Sequence, residues 1–331
     1  MIASLAQFID WSAIQVLAML GPRDHERNSR LEEALQFLNG PDFIPAESQP
    51  ARVEFNGPLH FRFSTPRPGD FAENNVVYGR LYHCAERWQE RPVIVLLHGG
   101  GNNLISHRFL FPLIARQCNR AGFNAATLDA PFHYQRRPRQ PGALNWPDYL
   151  RETEATAQAI AEIRALTGWL LGEGCPVVAL WGSSFGGWLA GLAACCDARL
   201  AAVVLNTPGV RKNTSFAELV FRHRIREALR GQRVAAETLN LTALNLTIAQ
   251  PVIPKENILL IEAIHDLFVP KEYIEELWQA WGRPDIWRLP HGHISISLKG
   301  APDFTGRVLR WLAPRLNAPT VRMGQTKILP H

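Results

Sequence analysis

Val-Val-Ala-Leu-Trp-Gly-Ser-Ser-Phe-Gly-Gly-Trp-Leu-Ala-Gly occupies residues 177–191 of the chain. The apolar run 177–180 predicts a buried strand, and the small residues that follow Gly186 predict a helix. Between them, Gly-Ser-Ser-Phe-Gly is typical of a nucleophile elbow, a sharp strand-to-helix turn with Ser184 at its tip. The tip residue of such a turn is strained, and glycines on either side avoid collisions across it. Ser184 is therefore a candidate nucleophile, although the same pattern also arises by chance in loops.

The composition is that of an ordinary soluble globular protein. Of the 331 residues, 47% are apolar and 20% are charged, so a disordered chain is not expected. The length fits one elaborate α/β domain or two small ones. The formal net charge of +5 is a mild basic excess.

Basic residues are unevenly distributed along the chain. One cluster comprises Arg136, Arg137 and Arg139, and a second lies within residues 211–233. Neither comes with zinc-finger spacing or an aromatic stacking motif, so nucleic acid is not an expected partner. An anionic substrate, membrane headgroups or a merely solvated helix face fit better. Arg136 and Arg137 are candidate substrate-binding residues for an anionic group.

Cysteine usage and hydropathy favour a cytoplasmic location. The five cysteines include no Cys-x-x-Cys pair and no metal-ligand spacing, which indicates free thiols in a reducing compartment. No run approaches the roughly 20 apolar residues that a spanning helix needs. The first apolar segment carries Asp10 and has no basic region before it, so a cleaved signal is not expected. No metal and no organic cofactor are expected.

The chain in order predicts a helical extension, a core in two parts, an inserted lid and a tail. The extension contains a helix over residues 2–20 and a second helix that starts at Ser29, which with Glu32 forms a capping box. The insertion interrupts the core with helical and Leu-rich sequence, and a peripheral excursion is the alternative to a lid. The expected boundaries of the five parts are 1–50, 51–210, 211–250, 251–316 and 317–331.

Strands and helices alternate through the core. Strands are expected at 59–65, 76–83, 93–97, 123–128, 177–180, 201–205, 258–263 and 286–289. Helices are expected over 106–120 and 148–171, after the elbow, from Pro270, and from Asp303, a plausible cap. Such alternation requires crossover connections, so it predicts an α/β fold: a mostly parallel sheet with helices on both faces.

Polar residues after the strands form a candidate hydrolytic site. Ligands bind outside the carboxyl ends of parallel strands, which selects residues 98–101, Ser184, Asp266 and residues 291–293. A serine nucleophile needs a base, and the base needs an acid that holds its tautomer. His293 is the expected base, with His291 as a competitor, because Gly292 allows an abrupt turn. Asp266 is the expected acid, or else a helix cap before Pro270.

A glycine loop supplies the third requirement, donors for a developing oxyanion. The N–H of Phe185, directly after the nucleophile, and the N–H of Gly100 are the expected donors. Gly99 and Gly101 lack side chains and would let a substrate approach, so they are candidate substrate-binding positions. A phosphate-binding loop is not favoured, because no Gly-Lys-Ser/Thr follows.

Four motifs in this order resemble the α/β-hydrolase superfamily over about residues 55–315: His-Gly-Gly-Gly at 98–101, Gly-Ser-Ser-Phe-Gly at 182–186, Asp-Leu-Phe-Val-Pro at 266–270 and Gly-His-Ile-Ser at 292–295. The resemblance implies that fold and a Ser184-His293-Asp266 triad. The amino-terminal helices and the Asp-Ala-Pro-Phe-His-Tyr-Gln-Arg-Arg-Pro loop at 129–138 also resemble the family of the eighteenth α/β-hydrolase domain-containing protein, which implies lipid deacylation. A mitochondrial targeting segment is not evident here.

The expected function is a serine hydrolase that cleaves a carboxylic ester, in a small molecule or a lipid, through an acyl-enzyme. The basic clusters suggest an anionic group on the substrate, and the Leu-rich insertion suggests an acyl chain. A thioesterase or acyltransferase would use the same triad. A catalytically silent hydrolase-fold binding protein is the alternative that is not an enzyme.

Overall fold

The structure, a computed structural model, describes residues 2–20, 30–41, 43–44, 47–100, 109–139, 148–211, 226–299 and 301–317. Within them, nine strands form one sheet in the order β1-β2-β3-β5-β4-β6-β7-β8-β9. The strands are β1 Glu54–Asn56, β2 His60–Ser64, β3 Val76–Tyr82, β4 Val93–Leu97, β5 Asn124–Leu128, β6 Val178–Ser183, β7 Leu200–Asn206, β8 Ile258–Ala263 and β9 Asp285–Leu289. The first three are antiparallel additions at one edge, and β4 through β9 all run parallel to one another. The predicted mostly parallel sheet is confirmed.

Helices cover both faces of this sheet. In the described residues they are α1 Ile2–Leu20, α2 Leu31–Asn39, α3 Phe111–Arg120, α4 Tyr149–Gly172, α5 Phe185–Ala194, α6 Arg226–Leu239, α7 Lys271–Ala280, α8 His293–Lys299 and α9 Ala301–Leu316. One apolar cluster joins the sheet to α2, α4, α5, α6 and α7. A second cluster joins the opposite face to α3, α8 and α9. This is the layered α/β arrangement that the alternation of elements predicts.

The side-chain period of two explains why the central strands are apolar throughout. All five residues of β4 are buried. Val93, Val95 and Leu97 belong to one apolar cluster, whereas Ile94 and Leu96 belong to the other. Successive side chains point to opposite faces, so a strand covered on both sides needs a continuous apolar run. That requirement makes the core strands recognisable in the sequence.

Several predicted boundaries differ from the observed ones. The last helix begins at Ala301 rather than Asp303, and Pro302 fits its first turn because a missing N–H there removes no helical hydrogen bond. Helix α2 begins at Leu31, after Arg30 with a φ of 44°. The expected cap Ser29 and the expected start of α3 at residue 106 lie outside the described residues.

The Leu-rich part of the expected insertion packs on the core. Leu239, Leu244 and Leu246 are buried, and the indole N–H of Trp281 donates to the carbonyl oxygens of Leu246 and Ala249 at 2.7 and 2.9 Å. These three leucines are part of the core, and a contact between the segment and an acyl chain stays a prediction. A lid role for residues 211–250 stays a prediction, and residues 212–225 lie outside the described part.

The five cysteines carry free thiols. Burial raises the pKa of Cys118, Cys175 and Cys195 to about 12. Among the helices in the described ranges, none combines the length and the hydropathy needed to cross a membrane.

Candidate active site

The elbow predicted from the sequence is present between β6 and α5. Ser184 stands alone between the two elements, with φ 54° and ψ −116°, a backbone conformation that costs an L-residue about 1–3 kcal/mol. A Cβ on Gly182 would lie 2.1 Å from the carbonyl oxygen of Gly186, and a Cβ on Gly186 would lie 2.3 Å from that of Leu97. Neither position can therefore accept a side chain without moving the backbone around the serine.

His293 and Asp266 complete a hydrogen-bonded chain with Ser184. The Nε2 atom of His293 lies 2.8 Å from Ser184 Oγ, and its Nδ1 atom lies 2.7 Å from Asp266 Oδ2. An ionised carboxylate only accepts, so Nδ1 carries the proton in that bond and Nε2 is left to accept the serine proton. The imidazole beside the serine is that of His293, which favours this residue over His291.

Asp266 is held by its own loop. Its Oδ1 atom accepts hydrogen bonds from the backbone N–H groups of Phe268 and Val269 at 2.7 and 2.8 Å, while Oδ2 faces His293. The carboxylate thus caps the turn before α7 and orients the imidazole at once, so the two interpretations of this residue are compatible. The ring of Phe268 also stacks on His293, with 4.7 Å between centroids.

The charge state of His293 is set by opposing effects. Burial lowers the pKa of His293, but the charge and hydrogen bond of Asp266, with a smaller contribution from Asp10, raise the pKa, which ends above its ordinary value of 6.5. The protonated form is therefore stabilised at the position where a general base must receive a proton.

The glycine loop after β4 lies beside the elbow. A Cβ on Gly99 would be 3.5 Å from Ser184 Cβ, and a Cβ on Gly100 would be 3.7 Å from Phe185 Cβ. The N–H of Phe185 lies in the first turn of α5, where backbone donors lack partners within the helix. Gly101 lies outside the described residues. The oxyanion donors and the substrate-binding glycines stay predictions.

His98, the first residue of the His-Gly-Gly-Gly motif, anchors this loop. It is buried, its Nε2 atom accepts the N–H of Ala130 at 3.0 Å, and its Nδ1 atom lies 2.7 Å from the carbonyl oxygen of Gly99. With Nε2 accepting, Nδ1 carries the proton and donates to Gly99. His98 therefore ties the glycine loop to the segment after β5.

The structure contradicts a substrate-binding role for Arg136. Its side chain is fully buried, and its two terminal nitrogens donate to both carboxylate oxygens of Glu162 at 2.6 Å. The same nitrogens donate to the carbonyl oxygens of Asp129 and Asn74 at 2.8 and 2.6 Å. No donor at the end of this guanidinium is left for a ligand. Arg137 is exposed, and its substrate contact stays a prediction.

The buried ion pair supports a strained loop next to the site. Phe132 and Tyr134 have φ angles of 63° and 52°, and the N–H of Phe132 donates to Asn74 Oδ1 at 2.9 Å. Between them, the ring of His133 stacks on Phe185, with centroids 5.6 Å apart. Burial lowers the pKa of His133, which favours a neutral ring. The sequence analysis did not predict that this loop lies next to the site, and the only local signal is the aromatic run at 132–134.

A further carboxylate was missed as part of the site. Asp10, in the middle of α1, is completely buried and accepts the backbone N–H of His293 at 2.7 Å. From the sequence, Asp10 argues only against a cleaved signal peptide, and no role in the site is predicted for it. A single acidic residue within an apolar helix is the signal that could have marked it, since an unpaired buried charge is costly.

The fold and this geometry define a hydrolase of the alpha/beta class. The sequence pattern of the alpha/beta hydrolase family matches residues 94–319, which is more than half of the chain. The protein therefore belongs to the alpha/beta hydrolase family. The narrower resemblance to the family of the eighteenth α/β-hydrolase domain-containing protein stays a prediction.

Two proteins match parts of this chain in sequence. The uncharacterized protein Rv2627c of Mycobacterium tuberculosis is 29% identical over 246 residues, which are 69% of this chain and 57% of that protein. The chain thus spans little more than half the length of this curated relative. The uncharacterized protein YdjC of Bacillus subtilis is 40% identical over 50 residues, 15% of this chain and 43% of that protein.

Solved structures share the fold. The esterase Pf2001 of Pyrococcus furiosus superposes with a TM-score of 0.53 at 16% identity, over 81% of this chain and 98% of that one. The esterase Est2 of Thermogutta terrifontis superposes with a TM-score of 0.52 at 14% identity, over 83% and 95%. Identities this low establish likeness of fold alone.

Proposed function

We propose that this protein is a serine hydrolase that cleaves carboxylic esters through an acyl-enzyme. The observation that carries the proposal is the continuous hydrogen-bonded chain from Ser184 through His293 to Asp266. A nucleophile, a base and an orienting acid within hydrogen-bond reach are the parts that acyl transfer needs. The esterase names of the two fold neighbours agree with this reaction class.

In the first half-reaction, Ser184 Oγ attacks the ester carbonyl carbon and its proton passes to His293 Nε2. The carbonyl oxygen becomes negative and accepts hydrogen bonds from the N–H groups of Phe185 and Gly100; such a donor typically lowers the barrier by about 2.7–4 kcal/mol. The carbon–oxygen bond to the leaving group then breaks. His293 returns the proton to the departing alkoxide, which leaves as an alcohol.

In the second half-reaction, a water molecule attacks the acyl-enzyme and gives its proton to His293 Nε2. The tetrahedral intermediate collapses, the proton passes to Ser184 Oγ, and the carboxylic acid departs. Asp266 stays ionised throughout and stabilises the imidazolium twice per turnover. His293 returns each proton that it takes, so the enzyme ends the cycle in its starting state without a cofactor.

The expected substrate is a small-molecule or lipid ester with an apolar group next to the carbonyl. The rings of His133, Phe185 and Trp188 form a continuous aromatic series beside Ser184, with successive centroids 5.6 and 5.8 Å apart. Arg137 remains the candidate contact for an anionic substituent. A cytoplasmic location stays a proposal, and the free thiols, which are typical of a reducing compartment, support it.

The experiment that tests the proposal is active-site labelling with a fluorophosphonate, together with hydrolysis of p-nitrophenyl esters of graded chain length. Ser183 provides a matched control, because it is the neighbouring serine and its Oγ accepts a hydrogen bond from Asn206 at 3.0 Å. Wild type and Ser183→Ala should be labelled and active, and Ser184→Ala should be neither. Labelling of Ser184→Ala at the wild-type rate, or an unreactive wild type, would overturn the proposal.

A further inference from the structure

A buried carboxylate from the amino-terminal helix reaches the turn that carries the base. Asp10 is 0% exposed, and 283 positions separate it from His293 in the chain. Its hydrogen bonds within the described part of the chain all come from backbone N–H groups. A buried carboxylate is costly unless its oxygens are satisfied, so these bonds indicate a built contact.

The three donors belong to the two segments that present the acid and the base. Asp10 Oδ2 accepts the N–H of His293 at 2.7 Å and the N–H of Leu267 at 3.2 Å, and Oδ1 accepts the N–H of Ile294 at 2.9 Å. Leu267 directly follows Asp266. A single carboxylate therefore links the backbone beside the acid to the backbone of the base.

Gly292 gives a second, independent sign of this contact. A Cβ at this position would lie 2.8 Å from Asp10 Oδ2 and 3.0 Å from the carbonyl oxygen of Ala6. Its φ is not among the positive glycine angles of the described residues, so close approach to Asp10, and not a left-handed backbone, accounts for a glycine at this position. Helix α1 sits directly against the turn that ends in His293.

We propose that Asp10 is a positioning residue, which holds the acid loop and the base turn together so that Asp266, His293 and Ser184 keep their hydrogen-bonded alignment. This inference rests on the proposed hydrolase function. Asp10 touches neither the nucleophile nor a reacting atom, and it acts through the backbone of the residues it binds. Helix α1 then contributes to the active site rather than only packing on the core as an extension.

The same carboxylate acts on the charge of the base. The ionisable groups that raise the pKa of His293 are Asp266 and, more weakly, Asp10; His265 and His291 flank the loop in sequence, with the N–H of His265 bonded to the carbonyl oxygen of His291. A negative charge at Asp10 favours the imidazolium formed when the serine proton is taken. Removing that charge should therefore shift the protonation of His293 to lower pH.

The test compares Asp10→Asn and Asp10→Ala with Asp197→Asn, measured on the full chain. Asp197 is also a buried carboxylate, but it lies past the far end of α5 and pairs with Arg199 at 2.6 Å. For the Asp10 variants we expect kcat to fall about tenfold or more, because misplaced catalytic groups are costly, while KM changes little. The midpoint of the pH profile should move to lower pH. Asp197→Asn should keep the wild-type kcat and midpoint.

A readout without turnover separates this inference from the proposed function. The His293 imidazole is titrated by NMR in Ser184→Ala, with and without Asp10→Asn, and its signals are assigned by their loss in His293→Gln. A lower His293 pKa in the Asp10 variant is the expected result, whether or not an ester substrate is found. If wild type hydrolyses esters but Asp10→Asn matches its kcat, pH midpoint and imidazole titration, the positioning role is wrong and the hydrolase proposal stands.

Should the Asp10 variants fail to fold, Gly292→Ala supplies the same test with the charge retained. Its added methyl group would press on the Asp10 carboxylate, so we expect a fall in kcat of about tenfold with little change in KM. Unchanged kcat in a folded Gly292→Ala protein would contradict the proposal.

Discussion

The Nε2 atom of His293 lies 2.8 Å from Ser184 Oγ across 109 positions of sequence. Ser184 follows β6 and His293 follows β9, and the parallel strands β7 and β8 lie between them in the sheet. The loop after β9 therefore has to reach back past the ends of two strands to meet the nucleophile. Asp266 and Asp10 both form hydrogen bonds with His293, which explains how its ring is held at this distance from Ser184.

The kcat/KM of the protein should depend on pH through the protonation of His293. His293 accepts a proton only when it is neutral, and its pKa lies above the ordinary value of 6.5, so kcat/KM should rise with pH to a plateau with a midpoint above about 6.5. Steady-state kinetics from pH 5 to 9 measures this profile. A profile that is flat, or that falls over this range, would contradict a histidine base.

The raised pKa also has a consequence for stability, with a defined sign. Because the folded state holds the proton more tightly than the unfolded chain, protonated His293 contributes stability below the unfolded pKa of about 6.5 that is lost as pH rises through the folded-state pKa. The difference in unfolding free energy between wild type and His293→Gln should therefore shrink with rising pH. Urea unfolding at several pH values measures it.

Replacing Asp266 by asparagine should remove activity and leave the loop in place. The side-chain oxygen can still accept the N–H groups of Phe268 and Val269, but the amide would face Nδ1 of His293 and force the proton onto Nε2. That tautomer cannot take the proton of Ser184, and the equivalent change in other triads lowers kcat about 10⁴-fold. Kinetics and thermal unfolding should show lost turnover with little change in melting. An active Asp266→Asn enzyme would exclude this acid.

Substitutions that relieve the backbone strain at Ser184 should raise the stability of the protein, although they remove its activity. Ser184 has φ 54°, a region open to glycine but costly for any residue with a Cβ. Ser184→Gly and Ser184→Ala should both be inactive, and the glycine variant should be about 1 kcal/mol more stable than the alanine variant. Chemical denaturation of the two proteins gives the comparison directly. Equal stabilities would show that the turn is not strained in solution.

Substitutions at the neighbouring residues Arg136 and Arg137 should differ in their effects: the first should lower stability, and the second should change substrate binding. Removing one partner of a buried ion pair leaves an uncompensated charge, so Arg136→Met should cost about 3–5 kcal/mol of unfolding free energy, and adding Glu162→Leu should recover part of that loss.

Arg137→Glu should leave stability within about 0.5 kcal/mol of wild type, as exposed substitutions do. It should raise KM for anionic esters more than for neutral ones, and an equal effect on both would remove this contact.

The sheet, and the placement of Ser184, Asp266 and His293 at one of its edges, were open to prediction because their signals are local. A run such as 258–263, which is apolar except for Glu262, marks a strand buried on both faces, and the observed β8 has the same bounds. Ser184, Asp266 and His293 each follow a predicted strand, so the rule that parallel strands share one functional edge is enough to bring them together. Strand β1, with three exposed residues, has no apolar pattern and escaped prediction.

The remaining site residues depend on contacts between distant segments. Arg136 lies in a polar loop among other arginines, and only its pairing with Glu162 on the inner side of α4 decides that it is buried. Asp10 meets the base turn from the other end of the chain. Neither relationship has a period or a motif, and each depends on how helices lie against the sheet, so composition and spacing could not identify them.

The burial of the thiols makes the cysteines internal reporters of opening motions. With pKa values of about 12, Cys118, Cys175 and Cys195 are almost entirely protonated at neutral pH, and only the thiolate reacts with alkylating reagents. Cys118 and Cys175 are buried, so their modification in the native protein requires the surrounding packing to open, and each rate measures how often one region of the core admits solvent. The modification rates of these cysteines therefore report local opening on both sides of the sheet without an added label.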